Sequence, residues 1–416
     1  MSSSFRNRAM RHPLTLVGTL ALALAGASSG AWAQQTLFMP GIEVTSGWDS
    51  NRQLSTDDES SSENYRATAE LKIRRITPRS DTELRPQISY QKFSGISNID
   101  SVEGKLDLRS RYETLKGKAA LYGRFRRQDA FNAELGQASF DDGGDPTIPD
   151  DVNSGTVSGG ITRTNFMIQP SFSYSFTERT DFETTLRYDY LNYDSDLPGE
   201  RVGYTSPSAD FEIVHELSRR LRLGVGPYYD HYERDDGTNE SDAYGLTVNL
   251  RWRTSEITRS TLRVRAERNE DTTFEPQRVE DKSTAWGVEW IGVRENRVGT
   301  TQYRIGRFLQ PTSFGGRREV DQLHVQWDHP FNRKTLFRTA VRYVRTNSIT
   351  DLDTAGDRDQ ARADVMLRHF FTESFFVSAG YRFAWIDRES VGNADNHSFL
   401  LTVGLRAKDP TGGYRP

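Results

Sequence analysis

Arginine recurs in this sequence at alternate positions of short segments, as in the pairs Arg109 and Arg111, Arg124 and Arg126, and Arg263 and Arg265. A guanidinium is a planar fork of N–H donors that matches a carboxylate or phosphate at two points, so several on one surface make an anion-recognising face. Arg66, Arg74, Arg85, Arg187, Arg251, Arg304, Arg342, Arg362 and Arg382 fall in the same alternating register, as do Arg222, Arg338, Arg368 and Arg406. Carboxylates share that register, among them Glu70, Glu83, Asp107, Glu183, Asp189, Asp210, Glu212, Glu267, Glu289, Asp328 and Asp364. Two kinds of chemistry are open to such a set. Arginines and acids can pair with one another and hold a wall together, or the surplus of arginines can concentrate anions in a constriction and slow cations.

Other reactive constellations are weak. Cysteine is absent, which removes disulfides, thiolate nucleophiles and cysteine metal sites. His215, His231, His324, His329, His369 and His397 are scattered, and no GxSxG pattern follows residue 33 to mark a nucleophile elbow, so no enzyme is expected. Asp141, Asp142, Asp145, Asp150 and Asp151 cluster around glycines in an acidic segment, but their spacing matches no calcium loop. No metal and no cofactor is expected.

The elements that carry the arginines are strands. In residues 65–74 one alternate set reads Tyr, Ala, Ala, Leu, Ile and the other Arg, Thr, Glu, Lys, Arg. Successive side chains of a strand point to opposite faces, so this segment has one apolar and one charged side. Residues 182–190, 244–252, 262–266 and 377–383 repeat the pattern. The mean hydropathy of −0.71 conceals it, because only every second position needs to be apolar. About eighteen such segments follow residue 40, with sixteen as the alternative count, most near the roughly 9–11 residues of a tilted membrane strand.

Connections alternate in length. Short ones fall near 77–80, 113–116, 177–180, 216–220, 254–259, 294–297, 330–334 and 371–374. Long ones fall at 49–64, 94–101, 129–161, 192–203, 233–242, 269–282, 311–318, 346–358 and 387–396. That alternation predicts an all-β, antiparallel transmembrane barrel with short periplasmic turns and long extracellular loops. The longest connection, 129–161, is the expected lumen plug. Tyr90, Tyr112, Phe172, Tyr174, Tyr188, Tyr190, Tyr229, Trp252, Trp286, Trp290, Trp327, Tyr343, Phe383 and Trp385 fall in the apolar register, as rings at headgroup depth do. Pro86, Pro170, Pro207 and Pro227 share it; each removes a ladder donor and predicts a bulge or a strand end.

The N-terminus reads as a targeting segment. Arg6, Arg8 and Arg11 precede an apolar stretch over 14–27, shorter than the roughly 20 residues of a spanning helix, and Ala31-Trp32-Ala33 is a small-x-small cleavage pattern. The organisation expected is a cleaved signal peptide over 1–33, a barrel over 34–407 and a polar tail over 408–416. Losing three arginines moves the net charge from −4 to −7, with 51 basic against 58 acidic residues. That balance argues against nucleic acid as a partner.

The stretch from Gly41 to Arg52, with Trp48, Asp49 and Asn51 forming an aromatic-Asp-x-Asn step into an acidic loop, resembles the opening of the beta-barrel porin 2 family. The similarity extends through Gly380-Tyr381-Arg382-Phe383 to Leu401–Leu405, over nearly the whole mature chain. One departure is the end: such barrels usually close on an aromatic residue, where this chain has Leu405 and a polar tail. The resemblance implies an outer-membrane location and an encounter with the barrel-assembly machinery. It also implies polysaccharide export, the cargo being capsule or exopolysaccharide. The leading expectation is passage of an acidic polysaccharide through the arginine-rich lumen. An anion-selective or general nutrient porin and a non-conducting barrel that binds partners at its surface are the alternatives.

Overall fold

The computed structural model describes residues 35–56, 59–95, 100–135, 161–194, 202–274, 278–296, 298–312, 317–348, 357–389 and 392–407. The expected signal peptide, the polar tail and residues 136–160 of the expected plug lie outside them.

Alternating sequence becomes alternating burial. β1 (Gln35–Asp49), β2 (Ser62–Ile76), β3 (Ser80–Ser94), β4 (Ser101–Glu113) and β5 (Gly117–Asp129) lead to a short helix, α1 (Ala130–Leu135). β6 (Thr162–Ser175), β7 (Thr180–Asp194), β8 (Tyr204–Ser218), β9 (Leu221–Arg234), β10 (Asn239–Ser255) and β11 (Thr258–Thr273) follow. The series ends with β12 (Val279–Asn296), β13 (Gly299–Pro311), β14 (Arg317–Pro330), β15 (Thr335–Ser348), β16 (Arg358–Phe370), β17 (Phe375–Arg388) and β18 (Gly392–Arg406). Each strand pairs antiparallel with its sequence neighbours, and β1 pairs with β18 from Gly41↔Arg406 to Asp49↔Ser398, so the 18-stranded sheet closes on itself. Closure satisfies every strand edge internally, which a lipid environment demands.

The outside is apolar. Ile42, Val44, Ile88, Leu186, Leu246, Val264, Val341, Leu367, Leu401 and Val403 are exposed on it. Water would not tolerate such a band, whereas the hydrocarbon core favours it. Rings flank the band at both ends: Tyr90, Tyr188, Tyr229 and Trp286 toward the loops, Tyr112, Phe172, Tyr174, Trp290 and Trp327 toward the turns. Trp48 and Phe399 meet across the closing seam with centroids 6.2 Å apart. Several loop-side tyrosines reach upward to carboxylates, Tyr229 to Asp242 at 2.7 Å and Tyr244 to Glu270 at 3.0 Å. An apolar ring with a polar tip suits the headgroup boundary.

Three expectations need correction. The strands run to 13–18 residues rather than 9–11, because the ladder continues past the bilayer on the loop side. For that reason the connections expected over 233–242 and 387–396 shrink to 235–238 and 389–391, no longer than the turns. The prolines mark neither bulges nor strand ends. Pro86 sits inside β3, where the ladder to β2 skips from Glu70↔Gln87 to Ile73↔Leu84 without a change of register, while Pro86 stays paired with Leu106 on β4. Pro170 behaves the same way between Ile168↔Tyr188 and Ser171↔Thr185. The register shifts lie at Glu216/Ser218 and Arg253/Ser255, at the short turns. A proline removes one donor, and intact rungs on either side keep the alignment.

Candidate functional site

The interior is built from the charged parity of each strand, and every arginine singled out above faces it. Arg66 bonds Glu103 at 2.7 Å, Arg74 bonds Asp81 at 2.7 Å, and Arg85 lies 3.4 Å from Glu83. Arg109 and Arg124 stack on the Tyr122 ring at 5.7 and 5.4 Å, Arg111 turns toward the short-turn end, and Arg126 is buried facing the lumen.

Strands β7 to β13 hold a dense network. Arg187 bonds Asp189, Arg251 bridges Glu183 at 2.6 Å and Glu212, and Arg263 and Arg304 share Glu289 at 3.2 and 2.5 Å. Arg265 lies 3.4 Å from Asp210, with its guanidinium 3.6 Å over the Tyr228 ring. Each of these arginines is engaged by a carboxylate, the arrangement that holds a wall together, and the carboxylates of β7 and β8 are the more numerous charge.

The wall from β13 to β18 differs. Its inward carboxylates in the described strands are Asp328 and Asp364, against Arg304, Arg318, Arg338, Arg342, Arg358, Arg362, Arg368, Arg382 and Arg406. Arg338 takes Asp328 at 2.6 Å, Arg362 and Arg382 share Asp364 at 3.5 and 3.0 Å, and Arg406 reaches Glu70 on β2 at 2.8 Å. Opposite this wall, β7 and β8 present Asp181, Glu183, Asp189, Asp210, Glu212 and Glu216. A basic arc facing an acidic one sets a field across the lumen rather than along it.

Three cavities occupy this interior. One of about 1220 Å³ opens at the short-turn end and is lined by residues 114–118, 178–179 and 219–220 among others. One of about 400 Å³ lies within the β7 to β13 network, and one of about 320 Å³ lies between β1–β5 and β15–β18. The loop-side half is more closed. Tyr204, Tyr232, Asn269, Ser241, His324 and Ile386 are buried there. Leu54 of the first loop packs on Ile386 and Ala394. Asn132 of α1 bonds Gln91 at 3.2 Å and Glu103 at 2.7 Å.

Trp48, Asp49 and Asn51 sit where β1 meets β18. Trp48 points out, as above. Asp49 is buried and accepts from Ser398 Oγ at 2.6 Å, from Asn396 Nδ2 at 3.3 Å and from Asn64. Asn51 donates its backbone N–H to Asn396 Oδ1 at 2.9 Å and closes a turn with Ser55 through both amide atoms. These residues clip the seam and shape the first loop.

Alternation alone misses some interior groups. Arg317, first residue of β14, belongs to the outward parity, yet it is buried against Asp230 at 3.0 Å and Ser241 at 3.2 Å. At the end of β13 the Thr312 carbonyl accepts from Tyr232 at 2.8 Å. Arg163, Tyr204, Tyr228 and Tyr232 lie on the inward parity, and their alternation with outward rings was the available signal. His215 meets Thr180 and His369 meets Thr335, while His397 meets Tyr381 through Nδ1 and Asp395 through Nε2, the latter at 3.0 Å. His231, Glu240 and Asp242 converge within 4.8 Å of one another on the outer face.

No protein-family model matches this chain, and no curated protein matches it. Similar solved structures include OccK5 (OpdH) of Pseudomonas aeruginosa, at 12% identity over 89% of this chain and 98% of that one, with a TM-score of 0.40. OccAB3 of Acinetobacter baumannii is 9% identical over 89% and 99%, TM-score 0.41. The copper transporter OprC is 10% identical over 90% of this chain and 65% of its own, TM-score 0.44. The closed ladder, apolar band and paired girdles define the setting. This chain is an outer-membrane β-barrel.

Proposed function

We propose that the barrel is a channel that passes an acidic polysaccharide across the outer membrane. The observation that carries this reading is the inward arginine excess of β13 to β18 facing the carboxylates of β7 and β8. Such a field orders charged solutes and favours anions near the basic arc. A polar lumen with cavities is needed for passage of a hydrated chain, and the resemblance of the Trp48-Asp49-x-Asn51 opening supports polysaccharide as the cargo. An anion-selective nutrient channel has the same electrostatics and differs in the size of solute passed. A second reading, a surface-binding barrel without conductance, draws on the buried loop-side interior around Tyr204, Tyr232 and His324.

Conductance of the refolded mature protein in a planar bilayer under a salt gradient tests these. An anion-favouring reversal potential, with current interrupted by oligogalacturonate but not by neutral dextrin of equal length, is expected. Interruption by small anions alone selects the nutrient channel. Absence of current under all voltages removes the channel and leaves the surface-binding barrel.

A further inference from the structure

The short-turn mouth carries a feature that the lumen reading does not use. Arg111, Lys116, Arg179, Arg219, Arg220 and Arg253 line the 1220 Å³ cavity, are exposed, and have no ion-pair partner among the described residues. Other cations there are engaged: Lys118 with Glu113 at 3.8 Å, Arg259 with Glu295 at 3.0 Å, and Arg222 and Arg251 with Asp181 and Glu183. Glu178 and Glu216 are the lining acids that no salt bridge occupies. The imbalance is therefore six cations to two carboxylates, concentrated on one arc.

That arc is rigid. Ser175 donates its N–H to the Lys116 carbonyl at 2.8 Å, Glu216 to Arg179 at 2.8 Å, and Arg253 to Arg220 at 2.9 Å, so successive turns are stitched by backbone bonds. Turns along a barrel rim are two strand spacings apart, roughly 10 Å. Arg111 and Arg253 sit on the inward parity of β4 and β10, which directs the arc to the cavity rather than to the lipid.

We propose that this arc is a docking site for a soluble carboxylated polysaccharide on the periplasmic side, where the chain is captured before it moves outward. The inference rests on the channel reading above and adds direction to it. Five of the six cations are arginines, whose forks suit carboxylates. Charges fixed at regular intervals bind a flexible polyanion multivalently, with an avidity that no single contact supplies. At the opposite end the exposed cations Arg127, Arg268, Arg278, Lys282 and Arg345 are each engaged by a carboxylate, so no comparable cluster of open cations stands there among the described residues.

The test uses the full mature chain in non-ionic detergent and fluorescent oligogalacturonate, with neutral maltodextrin as control. Arg179→Glu, Arg219→Glu and Arg220→Glu are combined, and the same three positions changed to Lys form the second variant. Intact folding is checked by heat-modifiable electrophoretic mobility. The charge-reversed protein is expected to lose affinity by about tenfold or more, and the lysine variant to keep most of it. Equal binding by the parent and the reversed variant, or equal binding of maltodextrin, overturns the site. Repeating the measurement in nanodiscs with phosphatidylglycerol separates the lipid source: loss of oligogalacturonate binding there shows that the arginines serve headgroups and overturns the proposal. Arginine-dependent binding by a protein that conducts nothing sinks the channel but leaves the site. An anion-selective channel whose oligogalacturonate binding ignores the three arginines sinks the site and leaves the channel.

Discussion

Asp49 shows what one buried carboxylate does in this wall. It receives hydrogen bonds from β2 and β18 while belonging to β1, so it joins the first strand to both neighbours at the loop end of the seam. Asp49→Ala leaves Asn64, Asn396 and Ser398 buried without their acceptor, which costs about 1–3 kcal/mol. A lowered unfolding transition in detergent, with conductance otherwise unchanged, is the expected result. Asp235 acts in the opposite sense. In the hairpin between β9 and β10, burial together with Asp236 and Glu233 pushes its pKa up to about 6. The fold thus favours its neutral form. Its contribution to stability is complete below the ordinary aspartate value near 4 and is lost as pH rises through about 6. Asp235→Asn should flatten the dependence of thermal stability on pH across that window and raise stability slightly at pH 7, an effect reduced by the side chain's partial exposure. An unchanged pH profile in the variant would show that this carboxyl is not the group responsible.

At the scale of the strand, face decides consequence. Val264 points into the apolar band, and its neighbours Arg263 and Arg265 point into the lumen. Val264→Arg is expected to cost about 2–4 kcal/mol of folding free energy in vesicles, the cost of a guanidinium at bilayer depth. Thr261→Arg, one turn of the alternation away on the lumen face, should cost far less. Close approach imposes a different constraint on β9. A Cβ at Gly226 would stand 1.6 Å from the Phe211 carbonyl oxygen on β8, so Gly226→Ala must displace backbone. Slower folding and a lower unfolding transition are expected for that variant, measured beside Gly237→Ala, whose own added Cβ meets nothing within 4 Å but which is strained by its positive φ.

For the whole barrel, charge is distributed by wall rather than by depth. Interlocked salt bridges fill β7 to β13, and arginine predominates from β13 to β18. Removing cations from the second wall should therefore change selectivity more than stability. Arg342→Gln together with Arg368→Gln, which leaves the Asp328 and Asp364 salt bridges in place, is expected to move the reversal potential toward the cation side with the barrel still folded. Equivalent changes at Arg251 and Arg263 should instead lower stability, since each would leave Glu183, Glu212 or Glu289 buried beside fewer partners. Reversal potentials that respond alike to both double variants would contradict this division.

The sequence by itself determined which side chains face lipid and which face the lumen, because period two is a local property of an extended chain and survives whatever the strand pairs with. Arg263, Val264 and Arg265 could be sorted that way, and so could Tyr228 and Tyr229. It also determined the order of the strands, since neighbours in the chain are neighbours in the ladder. Closure was the decision of the tertiary structure. The partners of Asp49 lie as far away as Ser398, and no local pattern announces a contact across that separation. The same holds for Arg317, turned inward against its own parity, and for which carboxylate each arginine meets, which depends on which strands come together around the ring. Where a strand's proline withheld a donor, the ladder on both sides supplied the alignment that the residue alone could not.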